Sequence, residues 1–260
     1  MTEALSSLST VMDPPNMAHR VQSLDKAFTL LECLVEEGGE ASLSKLSQQS
    51  GMPLPTTHRV LRAMATRGYV RQMLSRRYAL GPRLIVIGDA ASRMLGACAQ
   101  PHLEELAEAV GETADMSMVD GEALTYIAQA PSRHAVRLII EVGHTAPLHC
   151  TAEGKVMLAA LPESRMRQLV GRTGLRQYTE ETIVDLDELR NELDLIRKAG
   201  YAISRGEYEA GLSGVAVLVP DAPVPMAVSV AGPDARVTPD KLSHIIPQLQ
   251  TAAERLLVCT

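Results

Sequence analysis

Arg59 and Arg62 stand three residues apart in the stretch LPTTHRVLRAM, from Leu54 to Met64. At helical spacing Val60, Leu61 and Met64 share one face, and Arg59, Arg62 and Thr66 share the other. A guanidinium is planar and donates parallel N–H bonds, so it suits a guanine edge or a phosphate. The charges around this helix strengthen that chemistry. From Ala41 to Arg83 there is no Asp or Glu, while Lys45, Arg59, Arg62, Arg67, Arg71, Arg76, Arg77 and Arg83 give +8. Residues 84–260 hold 15 basic and 24 acidic side chains, a balance of −9. The formal charge of −6 therefore averages a basic module and an acidic one. A solvated basic face is the alternative, but 43 residues without a carboxylate favour a phosphate-binding surface. Arg59 and Arg62 could read base edges or grip phosphate, and the sequence does not sort the two roles. Arg71, Arg76 and Arg77 fit backbone contact, and Lys45 and Ser47 fit positioning contacts to phosphate.

A second chemical stretch is HCTAEGK, from His149 to Lys155. If a helix begins at Cys150 or Thr151, the N–H groups of Ala152, Glu153 and Gly154 are first-turn donors without helical partners. Together with the helix dipole they make a site for a carboxylate. Glu153 itself could cap this helix, or point into a pocket and select a ligand with a hydroxyl, amide or amine. Met116, Met118, Tyr126, Ile140, Val215 and Val217 are candidates for an apolar pocket wall, although methionines at alternate strand positions are more often plain core. Other chemistries find little support. His144, His149 and Cys150 match no closed zinc site, so neither metal nor cofactor is expected. No GxGxxG, GxxxxGK[ST] or GxSxG occurs. The rival enzyme reading, a winged-helix module preceding a small-molecule methyltransferase, would need such a nucleotide loop.

The elements that must hold these residues follow from periodicity. Ser23 can cap a helix to about Glu37, which Gly38-Gly39 stops. Ser42 can cap a short helix ending at Gly51. Pro53 and Pro55 mark a turn and the start of a third helix, which stops at Gly68. YVRQM and RRYAL flank Leu74-Ser75 as a hairpin. Helix, short helix, turn, helix and hairpin form the order of a winged helix-turn-helix. A helix from about Arg83 to Leu95 places Leu84, Ile87, Gly88, Ala91 and Leu95 on one stripe, to meet either a second copy of itself or its own C-terminal domain.

The remainder reads as α+β. Helices are expected over 102–110, 151–161, 187–199 and 238–257, the last broken or entered near Pro247. Strands are expected in TADMSMVD, ALTYIAQA, VRLIIEV, SGVAVLV and PMAVSVA, which fits an antiparallel sheet with helices on its faces. No apolar run approaches the roughly 18–20 residues of a membrane span. The start, MTEALSSLSTVMDPPNMAH, lacks the pattern of a secretory signal and reads as a flexible tail. Cys33, Cys98, Cys150 and Cys259 form no CxxC, so reduced thiols and a cytoplasmic location are expected.

Six stretches in order, VQSLDKAFTLLECL, GMPLPTTHRVLRAMATRGYV, RRYALGPRLIVIG, PLHCTAEGKVMLAALP, IRKAGYAISRGEYEAGLSGVAV and AVSVAGPDARV, resemble the IclR family of bacterial transcription regulators. The resemblance spans nearly the whole chain from Val21. It implies a flexible tail over 1–18, a winged helix-turn-helix over 19–82, a linker helix used in dimerisation over 83–97, and a GAF-like effector-binding domain over 98–260. It implies a double-stranded DNA operator, a small-molecule effector (often an organic or aromatic carboxylate), and a homodimer that pairs into a dimer of dimers. In the recognition helix Thr56, His58 and Arg59 match the family pattern, with Thr57 at its partly buried position. Leu54-Pro55 stands where the family often carries a polar or basic pair. By resemblance the effector would meet Ala152 and Glu153, Ser204, Gly214, Ser229 and Ala231. The family frequently has Asp at Ser204, a polar group at Gly214, a second Ser at Ala231 and a small residue at Glu153. The site here should be roomier and poorer in fixed hydrogen bonds.

Overall fold

A computed structural model describes residues 21–222 and 224–257. The tail over 1–18 and Cys259 lie outside the described residues. The chain divides into two compact units, which separate between Ala91 and Ser92, inside the helix Arg83–Leu95.

The N-terminal unit contains α1 (Gln22–Glu36), β1 (Glu40–Ala41), α2 (Leu43–Ser50), α3 (Leu54–Thr66), β2 (Val70–Gln72) and β3 (Tyr78–Leu80), followed by α4 (Arg83–Leu95). Ser42 caps α2 by accepting from Lys45 N–H at 3.2 Å, and Gly51 ends it at φ +67°, where a side chain would be strained. Helix α1 begins one residue before the expected Ser23 cap. Val21 is its N-cap and supplies no side-chain bond. Leu30, Cys33, Leu34, Leu46, Leu61, Met64 and Tyr78 close one core. The strands form a three-stranded sheet in the order β1-β3-β2. β1 went unread because two residues carry no period.

The C-terminal unit is a six-stranded antiparallel sheet between two layers of helices. Its strands are β4 (Thr113–Asp120), β5 (Ala123–Ala130), β6 (Thr145–Ala146), β7 (Ala202–Arg205), β8 (Leu212–Leu218) and β9 (Met226–Pro233), in the order β6-β5-β4-β9-β8-β7. On one face α5 (Gln100–Val110) and α9 (Leu242–Leu256) pack over Met116, Val215, Val217, Val228 and Val230. On the other face lie α6 (Ala152–Ala160) and α8 (Leu186–Ala199), with α7 (Glu163–Thr173) contributing to the same core. Helix α7 went unread, although Met166, Leu169 and Val170 form a short buried stripe. Pro247 sits inside α9 without ending it, and only a 3₁₀ turn at Pro239–Lys241 precedes that helix.

Two expectations fail. VRLIIEV, residues 136–142, is an irregular loop and not a strand. A β-branched run becomes a strand only by pairing, and beyond β5 only the two-residue β6 pairs, at Leu124 and Thr125. Val136, Ile139 and Val142 are more than half exposed. Cys98 is disulfide-bonded, whereas Cys33 and Cys150 are free and buried. Separation along the chain therefore does not decide redox state, because a disulfide depends on distance in the fold.

Leu61 is fully buried beneath α3. Leu61→Ala should leave a cavity and destabilise the N-terminal unit by about 2–5 kcal/mol. Hydrogen exchange at the amides of 43–80 measures that loss against the rest of the chain.

Candidate functional site

Helix α3 turns Thr57, Leu61 and Met64 inward, which follows from their spacing of four and three. The opposite face exposes His58, Arg59 and Arg62, with Thr56 half-buried. The turn into α3 is pinned from below. Thr57 Oγ1 donates to Pro53 O at 3.2 Å, and Ser47 Oγ donates to Met52 O at 2.6 Å. The Ser47 hydroxyl proton is therefore committed to the turn and is not available to a phosphate. The start of α3 offers few free N–H groups to a phosphate. Pro55 has none, and Thr56 and Thr57 N–H both donate to Pro53 O.

In the hairpin, Arg76 adopts φ +63° and its N–H donates to Met73 O at 2.9 Å, which makes a tight tip. Arg71, Arg76 and Arg77 are exposed. Arg77 is nevertheless engaged. Its Nε lies 2.6 Å from Glu40 Oε1 and its Nη2 donates to Glu40 O at 2.9 Å. Lys45 pairs with Glu37 at 3.4 Å, an exposed contact that a phosphate can replace at little cost. Among the described residues Arg59, Arg62, Arg71 and Arg76 have no carboxylate in ion-pair reach. They make a cationic surface that extends from α3 to the hairpin.

The second site is a cavity of about 450 Å³ in the C-terminal unit, a size suited to a small organic molecule. Strand alternation lays its floor. In β9, Val228 and Val230 face the α5–α9 core, so Ser229 and Ala231 turn toward α6. In β8, Val215 and Val217 face that same core, so Gly214 turns toward α6, where Ala152 Cβ lies 3.6 Å from the Cβ that Gly214 lacks. The β4–β5 pairing carries a bulge between Met116 and Ser117, which sets Tyr126 opposite Ser117. The bulge puts Tyr126 in the α6-side core, while Ala128 and Ala130 join the other one.

Tyr126, Ile140, Ala152, Glu153, Ser204, Gly214 and Ala231 line the cavity. Ser229 supports it from behind by donating to Glu153 Oε1 at 2.6 Å. Met116 and Met118 do not line it. Met116 is fully buried in the α5–α9 core and Met118 packs against the same cluster, because the pleat turns both to the far face. Val215 and Val217 are displaced for the same reason. His144, Tyr208, Glu141 and Glu209 also line the cavity and went unread. They lie on loops and turns, where no period places a side chain.

Helix α6 holds the site together. Thr151 Oγ1 donates to Pro147 O at 2.8 Å and accepts from Gly154 N–H at 3.2 Å. The first two helical N–H groups, of Ala152 and Glu153, remain outside the ladder at the cavity wall. A Cβ on Gly154 would stand 2.3 Å from Leu148 O, so glycine permits the preceding loop to close on the helix. The buried Lys155 ties the far side, with Nζ 2.7 Å from Glu207 Oε1 and 3.1 Å from Glu192 Oε1. Ser204 Oγ donates to Cys150 O at 3.0 Å.

Two carboxyl groups lie under this helix. Burial, opposed by the Ser229 hydroxyl and its own backbone N–H, raises the pKa of Glu153. Burial also pushes Asp115 up to about 8, with the Gln129 hydrogen bond opposing and the nearby Glu153 adding to the rise. Gln129 Nε2 donates to Asp115 Oδ1 at 2.6 Å, and its Oε1 accepts from Ile140 N–H at 3.1 Å. The 131–144 loop is thereby joined to the floor. Among the described residues no group of three or more His, Cys, Asp or Glu is placed to hold a metal ion. Among them, too, no helix is long and apolar enough to cross a membrane.

Known proteins share both units. Residues 23–73 match the family model for the IclR helix-turn-helix domain, and residues 90–258 match that for the bacterial transcriptional regulator IclR C-terminal region. The transcriptional repressor IclR of Escherichia coli (strain K12) is 35% identical over 246 residues, covering 91% of this chain and 89% of the relative. The HTH-type transcriptional repressor AllR of Klebsiella pneumoniae is 31% identical over 246 residues, covering 93% and 90%. The crystal structure of an IclR transcriptional regulator from Alicyclobacillus acidocaldarius superposes with a TM-score of 0.81 at 30% identity, covering 93% of this chain and 99% of that one.

Asp115 makes stability depend on pH. Its folded pKa of about 8 lies above the ordinary 3.8, so the folded state keeps a proton that the unfolded state releases. Its contribution is full below about pH 4 and is lost as pH rises through about 8. Urea midpoints between pH 5 and 8.5 should fall with rising pH, and Asp115→Asn should flatten that slope. Gly154→Ala should lower the melting temperature and disorder the 147–151 turn, as read by amide exchange there.

Proposed function

The chain belongs to the IclR family of bacterial transcriptional regulators, and we propose that it is a cytoplasmic, effector-controlled regulator whose DNA affinity follows the occupancy of the cavity beside α6. The IclR repressor of Escherichia coli and the acetate operon repressor of Salmonella typhimurium, both similar to this chain, are transcriptional repressors and not enzymes, which speaks against the methyltransferase reading. Their names favour repression here as well. The observation that carries the proposal is the pairing of two features on one chain: an arginine surface free of carboxylates and, in the other unit, a cavity at the start of a buried helix.

On DNA, Arg59 and Arg62 sit on the exposed face of α3, the element that enters a major groove in this class of fold. His58 and Thr56 flank them. Arg71 and Arg76 suit phosphate contact from the hairpin, and Arg77 joins them only by giving up Glu40. Lys45 can exchange Glu37 for phosphate. In the cavity, the N–H groups of Ala152 and Glu153 are placed for an acid group of a small organic molecule, with Ser204, Gly214 and Ala231 on the wall. Such a ligand controls DNA binding by its differential affinity for two arrangements of the protein, and DNA reciprocally alters its affinity.

We assign the working form to a homodimer that can pair into a dimer of dimers. Helix α4 supports this, with Ile85, Val86 and Ile87 exposed at 73%, 67% and 48% in the single chain. A second copy would hide them and bring a second arginine surface to a symmetric operator.

Gel shifts on DNA upstream of the protein's own gene test the reading, repeated with small metabolites. Retention that changes with a metabolite is expected. Unretarded DNA in dilute buffer under every condition would falsify it. Arg59→Ala should weaken binding, and loss of one phosphate contact should reduce the log–log salt slope by about 1. An unchanged slope with relaxed sequence preference would move Arg59 from phosphate to base contact.

A further inference from the structure

The wall of the cavity carries carboxylates without a basic partner. Glu141, Glu153 and Glu209 line it, and among the described residues no lysine or arginine does. His144 is there, stacked on the Tyr126 ring with centroids 6.4 Å apart. A simple anion entering this space would find two N–H groups at the start of α6. It would also find three carboxyl groups.

Glu153 is the central one. It is 4% exposed, and it is held by Ser229 at 2.6 Å while still forming part of the wall. A carboxylate offers about four lone-pair positions, so the single Ser229 bond leaves acceptor capacity toward the cavity. A second feature points the same way. Tyr126 is 4% exposed and lines the cavity, yet its hydroxyl makes no hydrogen bond to the described residues. A hydroxyl open to a cavity and without a protein partner is one that a ligand or water can satisfy. Near a carboxylate wall, the group that satisfies both is a donor of several N–H bonds carrying positive charge.

We propose that the effector presents an ammonium group to Glu153, and that this cavity takes amines and zwitterions in preference to simple carboxylate anions. The inference rests on the effector-controlled reading above and narrows its ligand. The acid group expected at the α6 N-terminus is admitted when the same molecule brings its own cation. The ammonium donates to Glu153 and to the Tyr126 oxygen, and it offsets the charge of Glu141 and Glu209. One cation thus replaces the basic side chain that the wall lacks.

The test uses the full chain and probes that share a carbon skeleton: propylamine, β-alanine and propionate, and phenethylamine, phenylglycine and phenylacetate. Melting temperature and retention of the upstream DNA are measured with each at millimolar concentration. The amines or zwitterions of at least one series should raise the melting temperature, and the matched anion should not. In Glu153→Gln the amine should bind at least tenfold more weakly, and the anion should gain. Should that variant fail to fold, the matched probes on the natural chain decide. Stabilisation by propionate or phenylacetate equal to that by the amine overturns the inference. If those anions also alter DNA retention, effector control stands and only the amine preference falls. If no probe stabilises the chain or alters its hold on DNA, the amine preference is overturned. A metabolite outside the set that releases DNA would still leave effector control intact.

Discussion

A helix with no solvent-facing side can sit only where its whole surroundings are shaped to receive it, and Ala152–Ala159 is such a helix. Its first turn touches the sheet through Ala152 and Gly214, its second residue reaches Ser229, and its fourth, Lys155, is held between Glu207 and Glu192. These contacts bridge between 37 and 76 residues of chain. A lysine removed from water is costly unless it is paired, so its position is tied to the β7–β8 turn that supplies Glu207. Once α6 is placed, its N-terminus, the Glu153 carboxyl and the cavity wall are placed with it. The polar site exists because a structural requirement has been met beneath it.

The two units solve opposite electrostatic problems. In the N-terminal unit the exposed face of α3 keeps its arginines clear of carboxylates, and the unit's acidic residues lie before residue 41 or after Arg83. There an anion replaces water beside charges that are already exposed, so little desolvation opposes binding. In the C-terminal unit a few of the many charges are buried. Several of these are compensated locally: Lys155 by Glu207, Glu112 by Arg236, and Asp115 by Gln129 together with retention of its proton. The first arrangement suits a large polyanion bound from solution, and the second suits a small molecule enclosed in a cavity.

The loop over 131–144 links these local solutions to the ligand space. It is tied at Leu138 O to the Thr113 hydroxyl and at Ile140 N–H to Gln129, and it presents Leu138, Ile139 and Ile140 to the cavity. Apolar residues that would have made an ordinary strand instead form part of a wall. Gln129 joins that wall to the buried Asp115, so a change in the cavity and a change at the floor share one hydrogen-bonded path.

The amino-acid sequence by itself determined the helix-turn-helix order, the Ser42 and Gly51 caps, the β4–β5 hairpin and the start of α6. It also determined the separation of basic from acidic charge. Those features follow from the repeats of helix and strand, from the φ preferences of Gly and Pro, and from counting charges, all of which are local. Tertiary structure alone decided that Tyr126 faces the cavity while Met116 and Met118 do not. It also decided that residues 136–142 make a wall, that Arg77 is held by Glu40, and that Cys98 is oxidised. A strand's inward face inverts with a single bulged residue, and pairings such as Glu153 with Ser229 join positions far apart in the chain. Periodicity shows that a face exists, but the long-range register determines what it meets.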